Sequence, residues 1–372
     1  MINNKGEIPY VNLRAQWAKE SSILLPIIEN TLESGHYVGG EEVEKFEKQI
    51  AEYCNVKYAV ATNSGTDALI LALRLLEINS GDEVITPPNS FVASTAAIVH
   101  LGAKPVFVDV LPDQNIDTKL IKSRITRNTK AIMPVHLTGR MADMESIMSL
   151  AEEYNIPVVE DSAQAIGSRY NGKYSGSIGK IGCFSTHPLK NLNACGDGGF
   201  ITTDDECIYE RGKSLRNHGL LDRNTVNEFG FVSRMDVLQA AILNYRLSQL
   251  ESMIEIRRRN ANFYMNNLDP DFVFFPKEKP WEHNTYHTFV IQVNQRAKLI
   301  SELERFGIQT AIHYPTPIHL QPAAKKLGYK LGDFPVAEKQ SEAILTLPVH
   351  QFLSESDLQK IIHVTNNFFQ NT

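Results

Sequence analysis

Short apolar runs alternate with stretches of helical periodicity along the chain as far as residue 203. The apolar runs that indicate buried strands cover residues 58–61, 82–86, 105–109, 131–135, 156–159, 181–184 and 200–203. Helical spacing indicates helices at 118–125 and 144–154, and Val43, Phe46 and Ile50 form the apolar stripe of another helix. Strands that alternate with helices in this way predict βαβ units and a mostly parallel sheet covered by helices on both faces.

The pattern changes after residue 203. Long helices are predicted at 204–216 and 236–267, then strands at 272–275, 288–293 and 308–312 and a helix at 299–306. The segment 9–40 also has helical character, which Pro26 is expected to break. The sequence therefore predicts an α/β protein with a large domain over residues 1–255 and a small C-terminal α+β domain over residues 256–372.

Reactive side chains follow two of the predicted strands at their carboxyl ends. The strand at 156–159 leads to Asp161, and the strand at 181–184 is followed by Ser185 and then by Lys190. Open α/β sheets bind their ligands at this end of the strands. An acid, a hydroxyl and an amine are therefore expected to meet at one site.

These groups suit pyridoxal phosphate, a cofactor that uses a lysine Schiff base and an acidic partner for its ring nitrogen. Asp161 would keep that nitrogen protonated, and Gln164, three residues later, could hydrogen-bond the ring hydroxyl. Lys190 would bind the aldehyde. Once a substrate amine displaces it, the lysine could move a proton as base and acid in turn.

Two other segments could hold the same cofactor. The strand at 58–61 leads through a small polar turn with Gly65 and Thr66 into a predicted helix, an arrangement that directs free N–H groups at a phosphate. An ordinary helix N-cap gives the same pattern. Phe91, just before the next predicted helix, could stack on the pyridine ring or pack in the core.

A dense and ordered set of motifs carries a family resemblance. The segments are EDSAQA at 160–165, FS at 184–185, PLKN at 188–191 and GDGG at 196–199. With them the chain resembles the DegT/DnrJ/EryC1/StrS family of sugar aminotransferases over essentially its whole length. The resemblance implies the fold type I arrangement of pyridoxal phosphate enzymes, with Ser185 among the cofactor-binding residues. It also implies a homodimer whose active sites both subunits complete.

The activity that the resemblance implies is a ping-pong transfer of an amino group. L-glutamate would convert the cofactor to pyridoxamine phosphate, and the keto group of a nucleotide-linked sugar would then take the amine. One branch of the family has histidine at the lysine position and removes a sugar oxygen instead. Lys190 indicates a transaminase rather than a member of that branch.

The resemblance also implies roles for individual residues. Phe91 stands at the family position whose aromatic ring stacks on the cofactor. Tyr37 lies in a loop that borders the sugar site in the family, and His313 and Tyr314 lie in a loop that faces the nucleotide-sugar. His187 stands where many relatives have tyrosine, and it is a candidate either for proton relay or for packing beside the lysine.

The chain departs from the family at one phosphate contact. Family members often carry an asparagine that reaches the cofactor phosphate of the partner subunit, and this chain has Val232 at that position. Arg234 could supply the contact across the dimer interface, because a guanidinium suits phosphate geometrically. A structural ion pair of Arg234 with Asp236 or another acid is the competing interpretation.

The loop at 313–322 looks most like that of members acting at C-3, rather than C-4, of dTDP-linked keto-6-deoxysugars. A second interpretation keeps the chemistry and changes the substrate to a UDP-sugar or a keto-cyclitol. A third is a regulator that binds pyridoxal phosphate or a sugar nucleotide without turnover. This third interpretation would predict a DNA-reading helix pair or a basic surface, and neither is visible in the sequence.

Composition and charge exclude several other classes of protein. With 372 residues, a formal net charge of -6 and a pI near 6.0, the chain lacks the electrostatic footprint of a nucleic-acid-binding protein. The three arginines 257–259 are interpreted as a solvated helix face. The sequence has no apolar run of membrane-spanning length and begins with polar residues, so a cytoplasmic protein is expected. Its four cysteines have no CxxC spacing, so neither a metal site nor a disulfide framework is expected.

Overall fold

A computed structural model describes residues 7–370 of the chain. Its strands are β1 (Tyr58–Thr62), β2 (Glu83–Thr86), β3 (Lys104–Phe107), β4 (Thr129–Ile132), β5 (Val159–Asp161), β6 (Arg169–Tyr170), β7 (Lys173–Tyr174), β8 (Ile181–Ser185), β9 (Gly199–Thr203), β10 (Val273–Phe274), β11 (Glu282–His283), β12 (Phe289–Val293) and β13 (Ile344–Leu347). Its α-helices are α1 (Leu13–Glu33), α2 (Glu41–Cys54), α3 (Gly65–Leu75), α4 (Val92–His100), α5 (Thr118–Ile121), α6 (Met144–Tyr154), α7 (Glu206–Leu215), α8 (Val237–Leu247), α9 (Leu250–Asn267), α10 (Arg296–Arg305), α11 (Pro335–Ala343) and α12 (Glu355–Gln370). Short 3₁₀ helices cover Lys122–Arg124, Leu137–Gly139, Ile318–Leu320 and Pro322–Leu327.

The central sheet runs in the order β3-β2-β4-β5-β8-β9-β1. Two hydrogen-bonded sets, β3-β2-β4 and β1-β9-β8-β5, meet through parallel bridges at Ile132–Val158 and Val135–Asp161. Within this sheet, β9 alone runs in the direction opposite to that of the other strands. It reverses because a loop without a crossover helix joins it to β8. The predicted mostly parallel sheet is confirmed.

Alternate residues of the central strands face different helix layers. Val60 and Ile201 belong to the core cluster that includes α3, whereas Ala61 and Phe200 belong to the cluster that includes α2 and α8. This is the period-2 alternation of a strand, and both faces are buried. The sheet therefore lies between two helix layers, as the apolar runs indicate.

A second, antiparallel sheet forms the core of the C-terminal part. It runs in the order β10-β12-β13 and packs against α9, α10 and α12. Helix α9 spans both cores: Leu250 and Ile254 pack with the large domain, and Ala261 and Tyr264 pack with the small one. The predicted domain boundary at residue 255 therefore falls inside a continuous helix.

Two predicted features of the long helices are wrong. Pro26 does not break the N-terminal helix, because α1 continues through it and packs along α8. The single helix predicted at 236–267 is instead two helices, α8 and α9. They are separated at Ser248, whose hydroxyl donates a hydrogen bond to the Tyr245 carbonyl. A serine side chain that hydrogen-bonds a nearby backbone carbonyl competes with continuation of the helix in this way.

Two smaller predictions also differ from the structure. The helix predicted at 118–125 is the short α5 followed by a 3₁₀ turn at Lys122–Arg124. The strand predicted at 308–312 forms only isolated bridges, one at Ile308 and one at Ala311. Short apolar runs do not distinguish a full strand from a chain that pairs at single positions.

Asp109 connects the end of β3 to α11. Its carboxylate accepts hydrogen bonds from the backbone N–H groups of Val110, Val336 and Ala337, each at 2.9 Å. The last two are the first free donors of α11, whose own N-cap residue, Phe334, has no side-chain acceptor. A carboxylate at this place satisfies the donors and also interacts favourably with the helix dipole.

We expect Asp109→Ala to lower the free energy of unfolding by about 1–3 kcal/mol, because it leaves the buried Ala337 N–H without an acceptor. Urea denaturation measures the change. Glu342→Ala, on the exposed face of the same helix, is the control and should stay within about 0.5 kcal/mol of the wild type. Equal losses in the two variants would contradict the importance of this contact.

Candidate active site

A cavity of about 450 Å³ opens at the carboxyl ends of the central strands, where the small domain covers them. It brings together ten of the predicted site residues: Gly65, Thr66, Phe91, Asp161, Gln164, Ser185, His187, Lys190, His313 and Tyr314. They come from the start of α3, the approach to α4, the ends of β5 and β8, and the loop before the 3₁₀ helix at Ile318–Leu320. The site is therefore assembled from the central sheet and from the C-terminal part of the chain.

Asp161 is the buried acid of this cavity, with 4% of its surface exposed. The Ser94 hydroxyl donates a hydrogen bond to its Oδ2 at 2.7 Å, and the Ala163 N–H donates to its Oδ1 at 3.2 Å. Burial raises the pKa of Asp161, and these two donors together with the Lys190 charge oppose that shift. The ionised carboxylate at this place is thus stabilised by a cation in the cavity.

Lys190 is the amine of the cavity. Burial lowers the pKa of its side chain to about 8, and the nearby Asp161 opposes the shift. Within residues 7–370 its Nζ forms neither a hydrogen bond nor an ion pair, whereas its backbone N–H donates to the His187 carbonyl at 2.8 Å. About a tenth of the amine is therefore unprotonated at pH 7, far more than for an ordinary lysine, and the unprotonated form is the nucleophile that a carbonyl requires.

The start of α3 forms a cradle for an anion. Ser64 caps the helix by accepting a hydrogen bond from the Asp67 N–H at 3.1 Å, so the N–H groups of Gly65 and Thr66 have no partner within the helix. A Cβ atom on Gly65 would lie 2.5 Å from the Cβ of Ser185. Only glycine permits this close approach of α3 to β8, which places the free N–H groups and the Ser185 hydroxyl side by side.

Gln164 and two aromatic residues form another wall. The Gln164 side chain accepts a hydrogen bond from the Thr138 N–H at 2.8 Å and donates one to the Tyr314 hydroxyl at 3.3 Å. The ring of Tyr314 lies 5.7 Å from the ring of Phe91, which is 54% exposed. Phe91 is therefore a cavity residue with an available face and is not packed in the core.

Two of the predicted histidines line the cavity. His313 shares a hydrogen bond with the Thr346 hydroxyl at 2.9 Å, and burial, assisted by the Lys190 charge, lowers its pKa to about 4. His187 is exposed, and its Nδ1 accepts a hydrogen bond from the Leu189 N–H at 3.3 Å. His187 thus contacts the loop that carries Lys190.

Comparison with known proteins identifies the family. The model of the DegT/DnrJ/EryC1/StrS aminotransferase family matches residues 21–366. The chain belongs to this family. It is 40% identical, over 97% of its length and 99% of the relative, to dTDP-3-amino-3,6-dideoxy-alpha-D-galactopyranose transaminase of Aneurinibacillus thermoaerophilus.

Two further proteins support the assignment. The chain is 40% identical, over 96% of both proteins, to UDP-N-acetyl-3-dehydro-alpha-D-glucosamine 3-aminotransferase of Acidithiobacillus ferrooxidans. The crystal structure of S. venezuelae DesV in complex with a ketimine intermediate superposes with a TM-score of 0.95 at 36% identity, covering 98% of this chain and 99% of that one. The α/β fold of the aminotransferases therefore extends over the whole described chain.

Sequence reasoning missed several residues that line the aminotransferase cavity. They are Tyr10, Ser94, Asp197, Arg257, His287 and His350. The interpretation of residues 257–259 as a solvated face is wrong for Arg257, which is 5% exposed; Arg258 pairs with Glu278, and Arg259 alone is exposed. The apolar residues Ile254 and Ala261, at helical spacing from Arg257, could have indicated its buried face.

Tyr37 and Arg234 lie away from the cavity of their own chain. Tyr37 is 53% exposed, and its hydroxyl donates a hydrogen bond to the Leu32 carbonyl at 3.1 Å. Arg234 lines a second cavity of about 460 Å³ and donates from Nη1 to the Asn217 side chain at 3.0 Å. In the part of the chain that the structure describes, Arg234 forms no ion pair with Asp236 or with another acid, so that interpretation is wrong.

Among residues 7–370, no group of three or more His, Cys, Asp or Glu side chains could hold a metal ion. No α-helix in the same range is both long and apolar enough to cross a bilayer. Cys54 and Cys183 are buried, Cys195 and Cys207 are exposed, and all four are free thiols.

The lowered pKa of Lys190 predicts its chemical reactivity. In the cofactor-free protein, acetylation of Lys190 by acetic anhydride should rise with pH around a midpoint of about 8, because only the neutral amine reacts. Quantitative mass spectrometry of the peptide that contains Lys190 measures the profile. In urea, where burial is lost, the midpoint should move to about 10.4. The same midpoint in the folded and unfolded protein would contradict the burial argument.

Proposed function

We propose that this protein is a pyridoxal phosphate-dependent aminotransferase that moves the amino group of L-glutamate to the keto group of a nucleotide-linked sugar. The observation that carries the proposal is the presence of Lys190 and Asp161 in one cavity beside the start of α3. Membership of the aminotransferase family supports it. Proteins of this family named for dTDP-sugar and UDP-sugar substrates are 40% identical to the chain.

The groups that line the cavity fit this cofactor. Lys190 offers an amine without a partner, Asp161 a buried acid, and the start of α3 free N–H groups for a phosphate. Gln164 offers an amide to the ring hydroxyl, and Phe91 an aromatic face to the ring. When bound, pyridoxal phosphate supplies a carbonyl that exchanges amines and a ring that accepts electrons.

The residues of the chain then have distinct tasks. Asp161 holds a proton at the ring nitrogen by offering it a buried negative charge. The Nζ of Lys190 takes a proton from the α-carbon of the donor and returns one to the acceptor carbon of the sugar. A pKa of about 8 suits both directions of transfer near neutral pH.

For the acceptor we propose a dTDP-linked keto-6-deoxysugar aminated at C-3. The names of two relatives, one a dTDP-3-amino sugar transaminase and one a UDP-sugar 3-aminotransferase, both refer to position 3 and support C-3 over C-4. His313 and Tyr314 line the cavity and are proposed to contact the nucleotide-sugar. A UDP-sugar is the second candidate acceptor, since the relative that acts on one is equally similar.

We also propose a homodimer that completes the site. Large apolar side chains are exposed around the segment that precedes Arg234: Phe229 is 88% exposed, Leu221 64% and Val226 50%. A partner subunit would cover this surface, and the proposed phosphate contact of Arg234 and sugar contact of Tyr37 belong to the neighbouring site.

Borohydride treatment of the protein incubated with pyridoxal phosphate should fix the cofactor on Lys190, as mass spectrometry of the peptides would show. Lys190→Ala should lose this labelling. Asp161→Asn should keep it while turnover falls roughly 100-fold or more, because the charge that stabilises the protonated ring is lost. Asp82→Asn, before β2 at the opposite end of the sheet, is the matched control. Normal turnover in Asp161→Asn would refute the role of this carboxylate.

Release of 2-oxoglutarate from L-glutamate identifies the acceptor when 3-keto and 4-keto sugars linked to dTDP and UDP, and a keto-cyclitol, are compared. We expect the highest kcat/KM with the dTDP-linked 3-keto-6-deoxysugar. A faster reaction with a UDP-sugar or a 4-keto sugar would contradict this proposal and identify that sugar as the acceptor. Binding of the cofactor and nucleotide without any turnover would favour a regulator.

A further inference from the structure

Helix α9 places in the cavity a guanidinium group that has no anionic partner. Arg257 is 5% exposed, and both of its hydrogen bonds are donated by Nη1, to the carbonyls of Tyr286 at 3.3 Å and His287 at 3.1 Å. Its Nε is buried without any acceptor. Within the described range 7–370, no carboxylate forms an ion pair with Arg257.

This arrangement is costly. A buried cation without a counter-ion loses its hydration and gains no compensating charge, and burial indeed lowers the pKa of Arg257 to about 10. The next arginine avoids this cost, because Arg258 pairs with the Glu278 carboxylate at 2.8 Å. The third, Arg259, is exposed to solvent. An anion that enters the cavity would explain why Arg257 alone is buried unpaired.

The unpaired guanidinium lies near the reactive amine. Arg257 and Lys190 line the main cavity together, and both also line a smaller cavity behind it. Burial lowers the pKa of His287 well below its usual value, and the charges of Lys190 and Arg257 lower it further. Its Nδ1 is buried and has no hydrogen-bond partner in the described chain. Among residues 7–370, Arg257 and His287 thus each have a nitrogen without a hydrogen-bond partner, and both residues line the cavity that contains Lys190.

The chemistry of the substrates identifies the anion. In an α-amino acid the carboxylate is attached to the carbon that carries the reacting amine. In a nucleotide-sugar the diphosphate is separated from the keto carbon by part of the sugar ring. A cation that lines the same cavities as Lys190 therefore suits the carboxylate of the amino donor better than the diphosphate.

We propose that Arg257 binds the α-carboxylate of the amino donor, with Nδ1 of His287 beside it. The inference rests on the proposed aminotransferase function and adds the residue that selects the donor. Arg257 makes the site specific for α-amino acids over simple amines, because a guanidinium binds a carboxylate through paired hydrogen bonds.

Binding of α-methyl-L-glutamate tests the proposal without turnover, because this amino acid has no α-hydrogen to transfer. Its affinity for the cofactor-loaded protein is measured by calorimetry and compared with that of its α-carboxamide. The wild type should bind the carboxylate about 10- to 100-fold more tightly. In Arg257→Met the two ligands should bind equally, and Arg257→Lys should keep part of the difference. Arg259→Ala, two residues away and exposed, should keep the full difference.

Three results would overturn the inference. The first is equal binding of the two ligands by the wild type, a result that does not depend on any variant folding. The second is an undiminished preference for the carboxylate in Arg257→Met. The third is a loss of dTDP or UDP affinity in that variant with no change for the amino acid, which would assign Arg257 to the diphosphate.

The outcome separates the two proposals. A wild type that releases 2-oxoglutarate from L-glutamate but does not distinguish the ligands retains the proposed function and loses only this inference. A cofactor-loaded wild type that does not convert any α-amino acid loses the proposed function itself.

Discussion

The structure depends on keeping an amine and a carboxylate buried in the same cavity. Burial shifts the pKa of Lys190 down and that of Asp161 up, so each group on its own is driven toward its neutral form. Each partly opposes the shift of the other, since a positive and a negative charge stabilise one another in a site of low dielectric. The Ser94 hydroxyl adds a further hydrogen bond to the carboxylate. The cavity thus holds Lys190 near the point where its protonation changes and gives the Asp161 carboxylate a nearby positive charge.

The rest of the fold keeps this pair in place. The residue before Asp161, Glu160, is fully buried and accepts backbone hydrogen bonds from Gly176, Ile178 and Gly179 at 2.6–2.9 Å. The Oε2 atom of Glu160 also lies 2.9 Å from Nε2 of His136. Burial alone would raise the pKa of Glu160, but His136 and the backbone donors lower it below its usual value. A fixed carboxylate anchors the end of β5, so that the acid beside it has a defined position.

The sequence contains the central part of the site in a form that local rules can recognise. Asp161, Ser185 and Lys190 follow apolar runs at the ends of strands, and Gly65 begins a helix after a strand, so sheet topology alone brings them together. Arg257, His287 and His350 come from separate segments that meet only when the small domain packs on the large one. No local sequence pattern predicts that packing.

Some local signals also misled the interpretation. A proline inside α1 and three consecutive arginines in α9 are usually signs of a helix break and of a solvated face. Packing of α1 along α8 keeps the helix continuous in spite of the proline. Ile254 and Ala261 lie on the buried side of α9, and Arg257 is buried with them in spite of the arginine run. Tertiary packing therefore decides both cases, and it decides the boundary of the domains inside α9 as well.

The electrostatics of the cavity follow from the same packing. Burial lowers the pKa of His313 and of His350 to about 4, and that of His287 also lies well below its usual value, so all three are uncharged near neutral pH. The positive charge of these walls then comes from Lys190, whose protonation changes near neutral pH, and Arg257, whose charge persists. An anion that enters this cavity therefore meets one positive charge that persists and one that depends on pH.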